Sequence, residues 1–256
     1  LPICIRSCSF ASMIPPLIYS SDKCKSSAKI LASSIGTTSS DEKEMIQHCH
    51  LYFSEKGLSF FHPEARSTKK FKIDFNSGTT RWRTNRVEHE KLIKKALGKH
   101  EAPLNILDCT AGMLQDTLLF LSLGHKVTAV EQSKILFHLL SDAINRSNDQ
   151  KIFQALTLIN TNACSYISKG QKFDVIYFDP MYPATKKNAL GSGQLEYLSR
   201  ILAIESIEND STQDFERLSL MPIKKMIVKR PIKAEPFSKK INYQVLGKTT
   251  RFDIYI

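Results

Sequence analysis

The chain has 256 residues, 42% of them hydrophobic and 24% charged, enough for one large core or a main domain with a smaller appendage. No apolar run approaches the roughly 18 to 20 residues that a membrane-crossing helix needs. Lys and Arg number 36 against 25 Asp and Glu, a net charge of +11, which suits a polyanionic partner but also suits a generally basic surface of solvated lysines.

The first segment, "LPICIRSCSFASMIPP", is broken by Ser, Cys and Pro, which argues against a signal peptide; Met13 is a candidate start, with the residues before it an upstream extension. Six cysteines are scattered without a CxxC pair, the pattern of reduced thiols in a cytoplasmic protein. Cys49 sits between His48 and His50, but neighbours on a strand point to opposite faces, so no metal is expected.

In chain order, residues 1–80 read as a small α+β domain and residues 81–256 as a larger α/β domain. "PLIYS" is a strand, and a helix runs from Ser21/Asp22 to a stop at Gly36. "HLYFSEKGLSFFHP" is a hairpin about Glu55-Lys56-Gly57, and "KFKIDF" a further strand. The polar "NSGTTRWRTNR" joins the domains, and "VEHEKLIKKALG" is a helix closed by Gly98. From Pro103 strands and helices alternate. "LNILDCT", "KVTAVE", "ALTLIN", "DVIYFD" and "KMIVKR" are strands; the helices are "MLQDTLLFLSLG", "SKILFHLLSDAINRS" with Ser133 as N-cap, and "QLEYLSRILAIESI". "INYQVLGKTTRFDIYI" closes the chain as an antiparallel hairpin. Such alternation predicts a mainly parallel sheet with helices on both faces, and ligands in sheets of this kind bind beyond the carboxyl ends of the strands.

Three strand ends carry candidate ligand contacts. At the first, Asp108 closes the strand and Ala111-Gly112 allows a tight turn toward a helix. Met113, Leu114 and Gln115 stand where a dinucleotide loop would have further glycines, which disfavours a pyrophosphate on the backbone and, with it, a nicotinamide oxidoreductase. At the second, Glu131 follows the glycine turn by roughly 20 residues, where a carboxylate accepts from both ribose hydroxyls; it equally suits a helix start. At the third, Asn162 and the Ala163 backbone can read an adenine edge, or Asn162 can be an N-cap. Asp108, Ala111, Gly112, Asp116, Glu131, Gln132, Asn162, Ala163 and Asp179 form the candidate set for a nucleoside-bearing cofactor without an essential diphosphate. S-adenosyl-L-methionine fits that description.

The fourth strand end, "KFDVIYFDPMYP", places Asp179, Pro180, Met181, Tyr182 and Pro183 together. An exocyclic amine is a poor nucleophile because its lone pair is delocalised into the ring. Asp179 and the Pro180 carbonyl can accept its two N–H bonds and turn the lone pair outward, while Tyr182 stacks on the base. A proline-rich turn is the plainer reading.

The stretches "LDCTAGMLQDTLLFLSLGHKVTAVEQS", "FDVIYFDPMYP", "IVKRP" and "RFDIYI" together resemble the small-subunit ribosomal RNA (guanine-N2)-methyltransferase family RsmJ. The likeness covers the chain from about Asn76 onward and, more loosely, the N-terminal unit. DPMYP is similar to the D/N-P-P-Y/F motif of amine- and amide-methylating enzymes, with Met181 in place of the second proline as in this family. In the first loop the family usually has a glycine and a basic residue, where this chain has Leu114 and Gln115. The resemblance implies a Rossmann-like methyltransferase fold with a small N-terminal domain, S-adenosyl-L-methionine as cofactor, no metal, and catalysis by Asp179, Pro180 and Tyr182. It also implies 16S ribosomal RNA, free or in a pre-assembled small subunit, as the partner, in the cytoplasm. Arg81, Trp82, Arg83, Arg86, Lys186, Lys187, Lys229 and Arg230 are the candidate RNA contacts. The alternatives are methylation of a DNA adenine or a protein amide by the same loop, and an RNA-binding assembly factor without activity.

Overall fold

The computed structural model describes residues 14–42, 47–66, 70–78, 86–167, 172–181, 193–208 and 210–256. They form two compact units: the described residues of Leu1–Phe71 with Ser192–Glu208, and those of Lys72–Gly191 with Asn209–Ile256.

The first unit is a four-stranded sheet with two helices. Its elements are β1 (Leu17–Tyr19), α1 (Asp22–Ile35), β2 (Ser39–Asp41), β3 (His50–Ser54) and β4 (Gly57–Phe61), in sheet order β2-β1-β3-β4. The β3–β4 hairpin pairs Ser54 with Gly57, whose φ of 102° suits a residue without Cβ. Gly36 ends α1 in the left-handed region, donating its N–H to Ala32 and Ser33 carbonyls, as its position after the last apolar residue predicts. The polar edge strand β2 was not foreseeable from apolar periodicity.

The chain returns to this unit late, through α6 (Gly193–Ile204), whose apolar face meets the sheet: Tyr197 stacks on Phe71 at 5.1 Å and meets Phe60 edge-on. "KFKIDF" is not the expected strand. Phe71 alone bridges to Phe60, while Phe75 packs on Phe153 in the second unit's core. Its alternating apolar residues are buried in turn, but they serve two cores, which leaves no continuous ladder.

In the second unit, a short 3₁₀ turn, Val87–His89, precedes α2 (Lys91–Leu97), so the helix foreseen from Val87 is divided at Glu90. Then come β5 (Asn105–Asp108), α3 (Gln115–Ser122), β6 (Lys126–Glu131), α4 (Lys134–Asn145), β7 (Leu156–Asn160), α5 (Ala163–Ile167), β8 (Val175–Phe178), α7 (Ser211–Ser219), β9 (Met226–Pro231), β10 (Tyr243–Leu246) and β11 (Thr250–Tyr255). The short α5 and the amphipathic α7, capped by Asp210 on Gln213 N–H, are additions to the sequence-based reading.

The seven-stranded sheet has the order β10-β11-β9-β8-β5-β6-β7, parallel except for β11, which runs antiparallel to both β9 and β10. Strands β8 and β5 are buried along nearly their whole length, as a sheet covered on both faces requires. The connections lead outward from β5 to β6 and β7, then return to place β8 on the other side of β5. That reversal opens a crevice at the carboxyl ends of β5 and β8. No described helix is long and apolar enough to cross a membrane.

Candidate active site

At the end of β5 the chain makes two turns in the left-handed region. Gly112 has φ 53° and Leu114 has φ 57°. A non-glycine residue there costs roughly 1 to 2 kcal/mol; Leu114 offsets this by complete burial of its side chain. The backbone thus keeps at Leu114 a conformation that favours glycine, the residue the resembled family usually has in this loop. Asp108 is buried beneath the loop and accepts bonds from the Thr110 N–H (3.0 Å) and the Thr117 hydroxyl. Burial pushes its carboxyl up, those two bonds pull it back, and Asp116 and Asp179 add to the push, leaving it at about 7.

The ends of β6 and β7 are arranged by backbone groups. Glu131 is buried; Oε2 accepts from the Gly112 N–H at 3.2 Å and Oε1 from the Ser133 N–H at 2.8 Å. Ser133 caps α4 through Leu136 N–H. The carboxylate therefore ties the glycine turn to the next helix start. Asn162 accepts from Cys164 N–H (2.9 Å) at the start of α5 and donates to Gln132 Oε1 at 3.3 Å. Gln132 is exposed and Ala163 is buried.

The ends of β8 and β9 are arranged by side chains. The Asp179 N–H donates to Thr110 Oγ1 at 2.8 Å, which fastens the strand end to the β5 loop. Lys229 Nζ donates to Asp179 Oδ2 at 2.8 Å and to Asp116 Oδ2 at 2.6 Å; the buried Tyr177 hydroxyl donates to the same Asp116 oxygen at 2.6 Å. Burial pushes the Asp179 carboxyl up, Lys229 pulls it back and Asp116 pushes it further, leaving it at about 6. Burial lowers the Lys229 ammonium's affinity for its proton, but the two carboxylates outweigh that and hold it well above the ordinary lysine range. Pro180 is buried and Met181 half-buried.

A family model described as a putative S-adenosylmethionine-dependent methyltransferase matches residues 36–256. A ribosomal RNA small subunit methyltransferase J from Francisella tularensis subsp. novicida is 34% identical over 216 residues, which cover 82% of this chain and 88% of the relative. The chain belongs to the ribosomal RNA small subunit methyltransferase J family. A second member, from Francisella philomiragia, is 36% identical over 194 residues, covering 73% and 80%. The crystal structure of an S-adenosylmethionine-dependent methyltransferase from Neisseria gonorrhoeae superimposes with a TM-score of 0.67 at 25% identity, over 94% of this chain and 95% of that one.

The fold is the Rossmann-like methyltransferase fold and the cofactor of this family is S-adenosylmethionine. The donor set fits it. Asp116 shares the Lys229 ammonium with Asp179, and Asp108 is buried close to Asp116, so negative charge exceeds positive beside the glycine turn, an excess that a ligand bearing sulfonium and ammonium groups would balance. Glu131, one strand over, is a buried carboxylate held by the Gly112 and Ser133 N–H groups. Among the described residues no group of three or more His, Cys, Asp or Glu side chains is placed to hold a metal.

Of the expected site residues, Asp108, Asp116, Asp179 and Pro180 come together at the β5–β8 crevice, and Glu131 joins them through Gly112. Tyr182, Arg81, Trp82, Arg83, Lys186 and Lys187 lie outside the described residues. Arg86 is exposed at the start of the 3₁₀ turn, and the Arg230 guanidinium lies 3.9 Å over the Phe237 ring. Sequence reasoning missed the roles of Tyr177, Thr110 and Thr117, and it placed Lys229 with RNA contacts although its ammonium points at two site carboxylates. Register would have revealed it: Phe178 pairs with Val228, so Lys229 follows beside Asp179.

Proposed function

We propose that this protein methylates the exocyclic N2 amine of a guanosine in small-subunit ribosomal RNA, in the cytoplasm where that RNA resides. The observation that carries the reading is the Asp179 carboxylate, fixed at the end of β8 through its own N–H to Thr110 and through Oδ2 to Lys229. The names of the Francisella relatives support ribosomal RNA as the substrate.

When bound, S-adenosylmethionine supplies an electrophilic methyl group. Glu131, Asn162 and the Gly112 turn are the groups that would hold its nucleoside, and Asp108 and Asp116, at the glycine turn, would face its positive charges. Asp179 and the Pro180 carbonyl accept the two N–H bonds of the guanine amine. That draws the nitrogen away from planarity and aims its lone pair out of the ring plane. An ionised Asp179 can do this and a protonated one cannot accept as well, so the rate should fall as pH drops through about 6. Tyr182 is assigned the stacking contact that holds the base clear of its neighbours.

The test is methyl transfer from labelled cofactor to small subunits purified from cells lacking the gene, followed by nucleoside chromatography. The expected product is N2-methylguanosine. Label in methyladenosine, or in protein alone, would select one of the alternative substrates; no label in either would favour a binding role without catalysis.

A further inference from the structure

Two carboxylates hold Lys229 Nζ, and a phenol and a third carboxylate stand behind them. Asp179 reaches it from the end of β8 and Asp116 from the first turn of α3; Tyr177, within β8, bonds Asp116, and Asp108, at the end of β5, bears on the two carboxylates. At least two of the three ammonium hydrogens are directed inward, so the lysine is poorly disposed to meet a phosphate. Its side chain keeps 26% exposure, and those of Asp179 and Asp116 keep 29% and 9%. The cluster therefore borders solvent on the Asp179 side and is closed on the Asp116 side. Asp116 in turn is fixed by the Tyr177 hydroxyl, whose ring is buried in the sheet.

We propose that Lys229 is a positioning residue for Asp179, holding one carboxylate oxygen so that the other is presented to the substrate amine, and keeping the group ionised. The inference rests on the assignment of Asp179 as the amine acceptor. Without an ammonium here, Asp179 would share a poorly hydrated corner with Asp116 and Asp108. Like charges so placed favour the protonated acid. A protonated Asp179 would offer the amine an O–H donor where an acceptor is needed, and its carboxyl would be free to rotate. Asp116, held from behind by Tyr177, sets where the ammonium stands and hence which Asp179 oxygen it occupies.

Lys229→Met and Lys229→Arg test this by two readouts. The first is the pH dependence of single-turnover methyl transfer to small subunits. An ammonium beside a carboxylate lowers its pKa by about 1 to 3 units, so the acid limb of Lys229→Met should move up by that amount. Its activity, low at pH 7, should then recover in part toward pH 9, while Lys229→Arg should keep its limb near that of the wild type. The second is the carboxyl titration of Asp179 by carbon-13 NMR, assigned with Asp179→Asn, which should show the same displacement without substrate. A lysine that merely supports the fold would lower the melting temperature and the rate at all pH values alike. An Asp179 titration unchanged in folded Lys229→Met would overturn the proposal. Were the wild-type protein inactive on small subunits, the proposed function would fall while the NMR titration still decided the role of Lys229.

Discussion

The two sides of the crevice are built differently. On the β6–β7 side the polar groups are held by main chain: Glu131 between the Gly112 and Ser133 N–H groups, Asn162 on Cys164 N–H. On the β8–β9 side they are held by one another, in a chain from Tyr177 through Asp116 and Lys229 to Asp179. Main-chain donors cannot be titrated and move only with the fold, which suits a site that must hold a cofactor in one pose. Ionised side chains concentrate charge and respond to protonation, which suits a site where a nucleophile must be activated. The difference teaches that the cofactor side should yield losses of affinity, and the reaction side losses of rate.

Breaking the reaction side should give the largest effect. Asp179→Ala removes an acceptor proposed to act in the transition state and should lower single-turnover methyl transfer by roughly a hundredfold, with a cooperative melt showing the protein still folded. Breaking the cofactor side is gentler. Glu131→Ala should weaken S-adenosylmethionine binding by about 1 to 3 kcal/mol, measured by calorimetry, with the rate at saturating cofactor far less affected than in Asp179→Ala. Thr110 joins the β5 loop to the reaction side, so Thr110→Val sharpens the comparison. Losing the acceptor for Asp179 N–H should cost about 1 kcal/mol of barrier, a rate loss of about fivefold.

The last expected effect concerns stability and leaves the reaction aside. Asp108 has its folded pKa raised to about 7 by burial, above the usual carboxylate value. Its contribution to stability is therefore fully present below about pH 4 and lost as pH rises through about 7. Thermal melts should show wild-type stability declining across that window and a shallower decline in Asp108→Asn. Equal slopes would mean that Asp108 is not held as this burial implies.

The contrast between the two sides also explains what could be read from sequence. Glu131, Gly112 and Ser133 are legible because their partners are local: a strand end, a glycine turn and a helix cap lie within roughly 20 residues of one another. The fold was legible for a similar reason, since the strands and the longer helices of the second unit announce themselves by their own periodicity, unlike the short α5 and the mostly polar α7. Lys229 was not, because its partners Asp179 and Asp116 lie 50 and 113 positions away and meet it only through strand order. "KFKIDF" misled because alternation reports burial and not pairing, and here burial is shared between two cores. Helix α6 reads correctly as a helix, yet nothing in its own pattern tells that it packs on Phe60 and Phe71, which precede it by more than a hundred residues.

The most direct test of this division is a calorimetric titration of S-adenosylmethionine into Asp179→Ala and Glu131→Ala side by side with the wild type. Asp179→Ala should bind within about threefold of wild type, a difference of well under 1 kcal/mol, while Glu131→Ala should bind markedly more weakly. A folded Asp179→Ala that loses as much affinity as Glu131→Ala would contradict it, because the two sides would then form a single cofactor site.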